Sequence, residues 1–244
     1  MKKVRWLRLV AIVAALGLVV VAVLAFTWPT ITSLREGSPA RTGNTLMVSS
    51  RSDIATARSA LATLAVVGRP APANDYRRAA FGGAWKDIDG NGCNQRDDVL
   101  FRDVVTSAPY TAARQRDCTH DMLAGTWVDP YTGSSITLTD AKQQDQAQSV
   151  QIDHIVALSV AWRYGARTWS DDRRRQFAND LTNLAAVGGA SNQAKGGADA
   201  AGWRPVTAAQ CGYAVRYVRV KAAYGLPVDA TERKALHGLL TTCG

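Results

Sequence analysis

The chain has 244 residues, 47% of them apolar, enough for one medium domain plus an appendage. Its net charge is +9, of which Lys2, Lys3, Arg5 and Arg8 supply four, so a body of about +5 remains; a mildly basic body suits a polyanion without selecting nucleic acid. Four cysteines without a Cys-x-x-Cys pair argue against a structural zinc cluster, and the lack of a Gly-x-Ser-x-Gly elbow argues against a serine hydrolase.

Basic residues precede the uninterrupted apolar run 9–26, which sits at the lower limit for a membrane-spanning helix. No Ala-x-Ala site follows it. The expectation is an uncleaved anchor with its basic end in the cytoplasm, a cleaved signal being the alternative. Both place the rest outside the cytoplasm. Residues 27–50 read as a tether, and a helix is expected at about 52–67, capped by Ser52 and stopped by Gly68-Arg69-Pro70. Ile54, Ala57, Leu61, Leu64 and Ala65 share one side of it, suited to packing on the main domain. The chain therefore divides into 1–26, a linker or stalk over 27–75, and a domain over 76–244.

The domain opens with Asp87-Ile-Asp89-Gly-Asn91-Gly, which reads as the opening of a calcium loop whose twelfth position is Asp98, or as ordinary turns. Arg96 and Arg102 follow along a helix, as a salt-bridged surface or as guanidiniums near a scissile phosphate. An even cysteine count in an exported chain favours disulfides. Of three pairings, Cys93 with Cys118 and Cys211 with Cys243 each bracket a compact unit, worth about 3 to 4 kcal/mol apiece. Trp127 to Thr139 reads as a hairpin turning at Asp129-Pro130 and Gly133, expected to extend the sheet that follows. Residues 142–149 read as a loop, and His120 as an exposed imidazole with a site role as the sharper alternative.

The stretch 151–196 gathers the chemistry. A β-branched run ends on Asp153-His154, a second apolar run opens with Asn183, and nine residues later Asn192 begins Asn-Gln-Ala-Lys195-Gly. Phosphodiester hydrolysis needs an activated water, a cation for developing charge, and groups that hold the backbone in line. Neutral histidine can take the proton, so His154 is the candidate base. A carboxylate and an amide oxygen are hard ligands suited to Mg²⁺, so Asp153 and Asn192 are the candidate ligands. Short helices are expected at 159–164 and 171–178, the second capped by Ser170 and carrying Arg173 to Arg175; Trp162 and Trp169 read as core. A helix from Asn192 to about Ala201, closed by Trp203 and Pro205, then a helical hairpin of 207–224 and 229–241, complete the chain. His237, on the last helix, reads as structural or exposed.

These residues, together with Ala161-Trp162, Gly165-Ala166, Phe177-Ala-Asn179-Asp180-Leu-Thr-Asn183-Leu184 and Trp203-Arg-Pro205, resemble the HNH nuclease superfamily with its ββα-metal finger. More closely, the chain resembles the actinobacterial secreted or membrane-anchored HNH endonucleases related to the DUF1524 group, with a GmrSD-type C-terminal domain. The resemblance runs from about Tyr76 to Cys243. It implies His154 as general base, Asp153 and Asn192 as metal ligands, Asn183 as the brace of the histidine loop, and Lys195 at a phosphate. The third motif position, often histidine, is Asn192 here, which moves the ligand set away from zinc. The long insert between the strands lets Asn179 compete with Asn183; Asn183 is favoured because it directly precedes the apolar run 184–187.

The expected fold is thus α+β, with a ββα-metal finger inside a mainly helical, disulfide-stapled domain and an N-terminal transmembrane or signal helix. The expected protein is a monomeric, extracytoplasmic endonuclease acting on nucleic acid, DNA ahead of RNA, with one divalent ion, Mg²⁺ or Mn²⁺. The competing class is a noncatalytic surface binder of DNA or acidic wall polymer.

Overall fold

The computed structural model describes Met47 and residues 49–244. The first helix, α1, spans Arg51–Thr63. Ser50, rather than Ser52, caps it, because Asp53 lies three positions on and closes a reciprocal capping box with the Ser50 hydroxyl and N–H. Ala57 and Leu61 are buried against the last two helices. The helix ends before the expected stop, since Val66–Val67 (β1) is drawn into a parallel pairing with Val228–Asp229 (β7). A β-branched run suits that extended pairing better than a last helical turn.

Helix α2, Gln95–Asp103, is capped by Asn94 and carries Asp97 and Asp98 in its first turn, where the helix dipole favours acids. Strands β2 (Thr111–Gln115), β3 (Cys118–Val128) and β4 (Ser135–Leu138) make an antiparallel sheet in that order. The expected hairpin is present, with Gly133 at φ +81 and its N–H bonded to the Asp129 carbonyl. It does not extend the following sheet: β5 (Val150–His154) and β6 (Leu184–Gly188) form a separate antiparallel pair, with Asp153 opposite Ala185 and His154 opposite Leu184. A short helix, α3 (Gln144–Ala147), stands in place of the expected loop between the two sheets.

Between β5 and β6 lie α4 (Leu158–Arg163), a 3-10 turn at Ala166–Thr168, and α5 (Asp171–Asn179), which Ser170 caps. Helix α6, Gly189–Lys195, follows β6 without a loop. That junction needs glycine, for a Cβ on Gly189 would sit 2.4 Å from the Gln148 carbonyl oxygen. Asn192 therefore falls inside α6 instead of beginning a helix to Ala201, and Gly196, at φ +51, ends it. The C-terminal hairpin is α7 (Thr207–Tyr224) and α8 (Ala230–Thr241), the latter capped by Asp229.

Strand periodicity sorts the interior. Val150, Ile152, Leu184 and Ala186 face a cluster built on α2 and β3, whereas Ala185 and Val187 face a larger one of α1, α4, α5, α7 and α8. The pair β5–β6 is therefore covered on both sides. Disulfides Cys93–Cys118 and Cys211–Cys243 staple the two regions, as the spacing suggested. Among the described residues no helix is long and apolar enough to cross a membrane; the run 9–26, on which an anchor was expected, lies outside them.

The last two helices are joined by a fully buried ion pair of Lys221 and Glu232, to which Tyr217 donates a hydrogen bond at 2.6 Å while Lys221 also meets the Pro227 carbonyl and the Tyr164 ring. Substituting Lys221 by Met leaves Glu232 buried and unneutralised, and urea denaturation should show a loss of about 3 to 5 kcal/mol. The double change with Glu232→Leu should recover most of it, and an unchanged single variant would show that the pair contributes nothing.

Candidate active site

His154 is the last residue of β5, where the strand stops and a cleft of about 360 Å³ opens, lined by Tyr76, Arg78, Gln151, Asp153, His154 and Asn192 among others. His154 is 5% exposed, and its Nε2 lies 2.8 Å from the Ala178 carbonyl. A carbonyl only accepts, so Nε2 carries the proton and the lone pair is on Nδ1. Trp85 stacks on the other side, 6.1 Å between centroids at 14°. Burial lowers the imidazole pKa from 6.5 to about 3, against the Ala178 bond that raises it, and Arg78 and Lys195 lower it further. The ring is neutral at physiological pH and has a free acceptor nitrogen.

Asp153 precedes it in the strand, so its side chain leaves on the opposite face. It receives Tyr131 Oη at 2.5 Å on Oδ2 and Lys195 Nζ at 3.1 Å on Oδ1 and 3.0 Å on Oδ2. Lys195, with no exposed side-chain surface, also donates to the His154 carbonyl at 2.8 Å. Burial raises the carboxyl pKa above its ordinary range, with Lys195 and Tyr131 opposing the shift. Lys195 is thus not placed at a phosphate as expected: a buried carboxylate one strand away has captured its ammonium.

Asn183, fully buried, bonds twice to the loop that leaves His154, its Oδ1 accepting from Val156 N–H at 2.9 Å and its Nδ2 donating to the Val156 carbonyl at 3.3 Å. Its own carbonyl accepts from Ile155 N–H. Asn179 instead accepts from Lys86 N–H and donates to the Arg175 carbonyl. Asn192 lies on the cleft wall and donates Nδ2 to Gln151 Oε1 at 2.8 Å, which leaves Oδ1 as the acceptor of its amide. Lys195 and Tyr131 leave Asp153 at most one lone pair, on Oδ1. That oxygen and Asn192 Oδ1 are hard donors belonging to residues of the cleft lining, of the chemical type that a cation retaining most of its water, such as Mg²⁺, takes.

Arg96 and Arg102 are not in the cleft. Arg102 holds Asp103 with two hydrogen bonds and the Leu181 and Leu184 carbonyls at 2.7 Å, tying α2 to β6. Arg96 bonds the Ala147 and Val150 carbonyls ahead of β5. Irregular backbone around the strands leaves carbonyls that these half-buried guanidiniums satisfy, and for Arg102 this takes up most of the donors a phosphate would need. Arg173, Arg174 and Arg175 likewise meet the Tyr224 carbonyl, Trp169 and Asp171, and Asp172. His120 pairs with Asp98 and stacks on Phe101, 4.4 Å between centroids. Trp162 and Trp169 pack on the larger core, and His237 is exposed on α8. Among the described residues the cation lining the cleft is Arg78, which also lines a smaller pocket together with Trp85 and His154. Sequence reading missed Arg78, Tyr131 and Trp85; the only signal was that the family resemblance begins at Tyr76.

Residues 94–239 match the family model described as "GmrSD restriction endonucleases, C-terminal domain". A protein of Arthroderma benhamiae described as an uncharacterized secreted protein is 38% identical over 192 residues, covering 77% of this chain and 85% of its own length. No solved structure matches. The chain belongs to the family of the C-terminal domain of GmrSD restriction endonucleases, a nuclease-related family.

Proposed function

We propose that the protein is a metal-dependent endonuclease of the HNH type that hydrolyses phosphodiester bonds of nucleic acid, DNA ahead of RNA, outside the cytoplasm. The observation that carries the reading is the His154 ring, whose proton is committed to the Ala178 carbonyl and whose lone pair, on Nδ1, belongs to a neutral ring on the wall of a cleft it shares with Asp153 and Asn192. The two disulfides and the secreted relative support the extracytoplasmic setting.

In this mechanism His154 Nδ1 takes a proton from water as the water attacks phosphorus, and the resulting imidazolium keeps its orientation through Ala178 and Trp85. Asn183 positions the loop that follows. Arg78 binds nonbridging phosphate oxygens, the role once expected of Lys195, Arg96 and Arg102. Lys195 and Tyr131 act through Asp153, holding its carboxylate against β5. A divalent cation held by Asp153 and Asn192, Mg²⁺ by the hardness of the donors, would stabilise charge on the phosphorane and the departing oxygen.

His154→Ala should keep the far-ultraviolet dichroism of the wild type and lose on the order of 10²- to 10⁴-fold in nicking of plasmid DNA. Equal nicking by the variant refutes the base assignment, and undiminished activity of the wild type in excess EDTA refutes the cation. Arg78→Ala should raise KM for a duplex oligonucleotide more than it lowers kcat, in line with an exposed arginine that binds substrate; a change confined to kcat counts against a phosphate contact.

A further inference from the structure

Outside the cleft, a second group of oxygen donors lies between the segment carrying Trp85 and helix α2. Counting from Asp87, side-chain oxygens fall at Asp89, Asn91, Gln95 and Asp98, positions three, five, nine and twelve, with glycine at six. This is the spacing by which a twelve-residue loop wraps calcium, the seventh position giving its main-chain carbonyl. The chain follows that path. Asp87 accepts from Gly90 N–H at 2.7 Å and from Gly92 N–H at 2.9 Å, and Gly92 has φ +88 with the Asp117 carbonyl 2.7 Å from where a Cβ would stand. Helix α2 begins at Gln95.

A separate observation points to a ligand. Gln95 is 1% exposed and Asp98 7%. Among the described residues, the buried side-chain atoms without a hydrogen-bond partner are both polar atoms of Gln95, Oδ2 of Asp98, and the Tyr213 hydroxyl. Two of the four are thus oxygens at the ninth and twelfth positions of this loop, and leaving such atoms unsatisfied is costly. Asp98 is turned toward the loop, since its Oδ1 accepts from Asn91 Nδ2 at 3.0 Å and from His120 Nε2 at 2.7 Å. The Cys93 and Cys118 sulfurs beside His120 are joined in the disulfide and are not ligands.

We propose that Asp87, Asp89, Asn91, Gln95 and Asp98, with the Cys93 carbonyl, form a calcium site distinct from the catalytic cation. Six or more oxygens on a flexible loop suit Ca²⁺ over Mg²⁺, and aspartate in place of glutamate at the twelfth position sets the affinity in the range of extracellular modules, about 0.1 to 1 mM. The ion fixes the chain just after Trp85, which stacks on His154 and lines a small pocket with it and Arg78, and so steadies the packing against the imidazole.

The full chain in detergent, stripped with EDTA and dialysed, is titrated with CaCl2 by calorimetry and melted with and without about 5 mM CaCl2 or MgCl2. One Ca²⁺ should bind and raise the melting midpoint by about 3 °C, with little effect of Mg²⁺. Asp89→Ala, an exposed position, should melt like the wild type in EDTA and lose the calcium gain; Asp89→Asn serves if that variant does not fold. Asn192→Ala should keep the gain. Absence of a binding heat up to about 10 mM Ca²⁺, a gain that survives in the Asp89 variant, or a gain that disappears in Asn192→Ala overturns the site.

Discussion

The buried contact between Asp153 and Lys195 sets the geometry of the cleft. Lys195 closes α6, and its ammonium reaches back to the carboxylate and main-chain carbonyl of β5, so the helix cannot shift along the strand pair without stranding a charge in the interior. Asn192 sits one turn earlier on the same helix, and its place beside Gln151 follows from that fixed register. Tyr131, from the turn after β3, completes the carboxylate's partners and ties the three-stranded sheet to the site.

Adjacent residues of a strand face opposite ways, which assigns different work to Asp153 and His154. Asp153 turns toward α6 and becomes structural support as well as a cation ligand in the proposed mechanism. His154 turns toward α5, where the last turn of that helix offers the Ala178 carbonyl. Because the strand ends there, the imidazole can be packed on one edge and open on the other. The 28-residue excursion from Ile155 to Thr182 returns to the strand through Asn183, whose amide closes on Val156 and makes the long insert compatible with a rigid site.

Burial of polar groups is the recurrent device of this fold. Lys195 and Lys221 are both fully enclosed, each against a carboxylate and a carbonyl, and Arg102 spends its donors on a carboxylate and two carbonyls. Short strands joined by irregular segments expose main-chain acceptors to the interior, and long cationic side chains satisfy them. A basic composition can therefore serve the inside of a protein as much as a polyanion at its surface.

The sequence by itself determined the elements whose signals are local. The spans of α7 and α8, the Ser170 and Asp229 caps, the turn at Asp129-Pro130 and Gly133, and both cysteine pairings were legible because propensity, capping and short loops act over a few residues. Residue type also singled out Asp153, His154 and Asn192, which line one cleft, and Asn183, which bonds the loop leaving it. Only the tertiary structure decided where long side chains end. Nothing in the pattern Asn-Gln-Ala-Lys195 distinguishes an ammonium bound for a phosphate from one bound for Asp153, and nothing near Arg78 separates it from Arg96 or Arg102. A flexible cation goes to the nearest unsatisfied acceptor, and that acceptor is supplied by residues distant in sequence, as is the pairing of Val66–Val67 with Val228–Asp229.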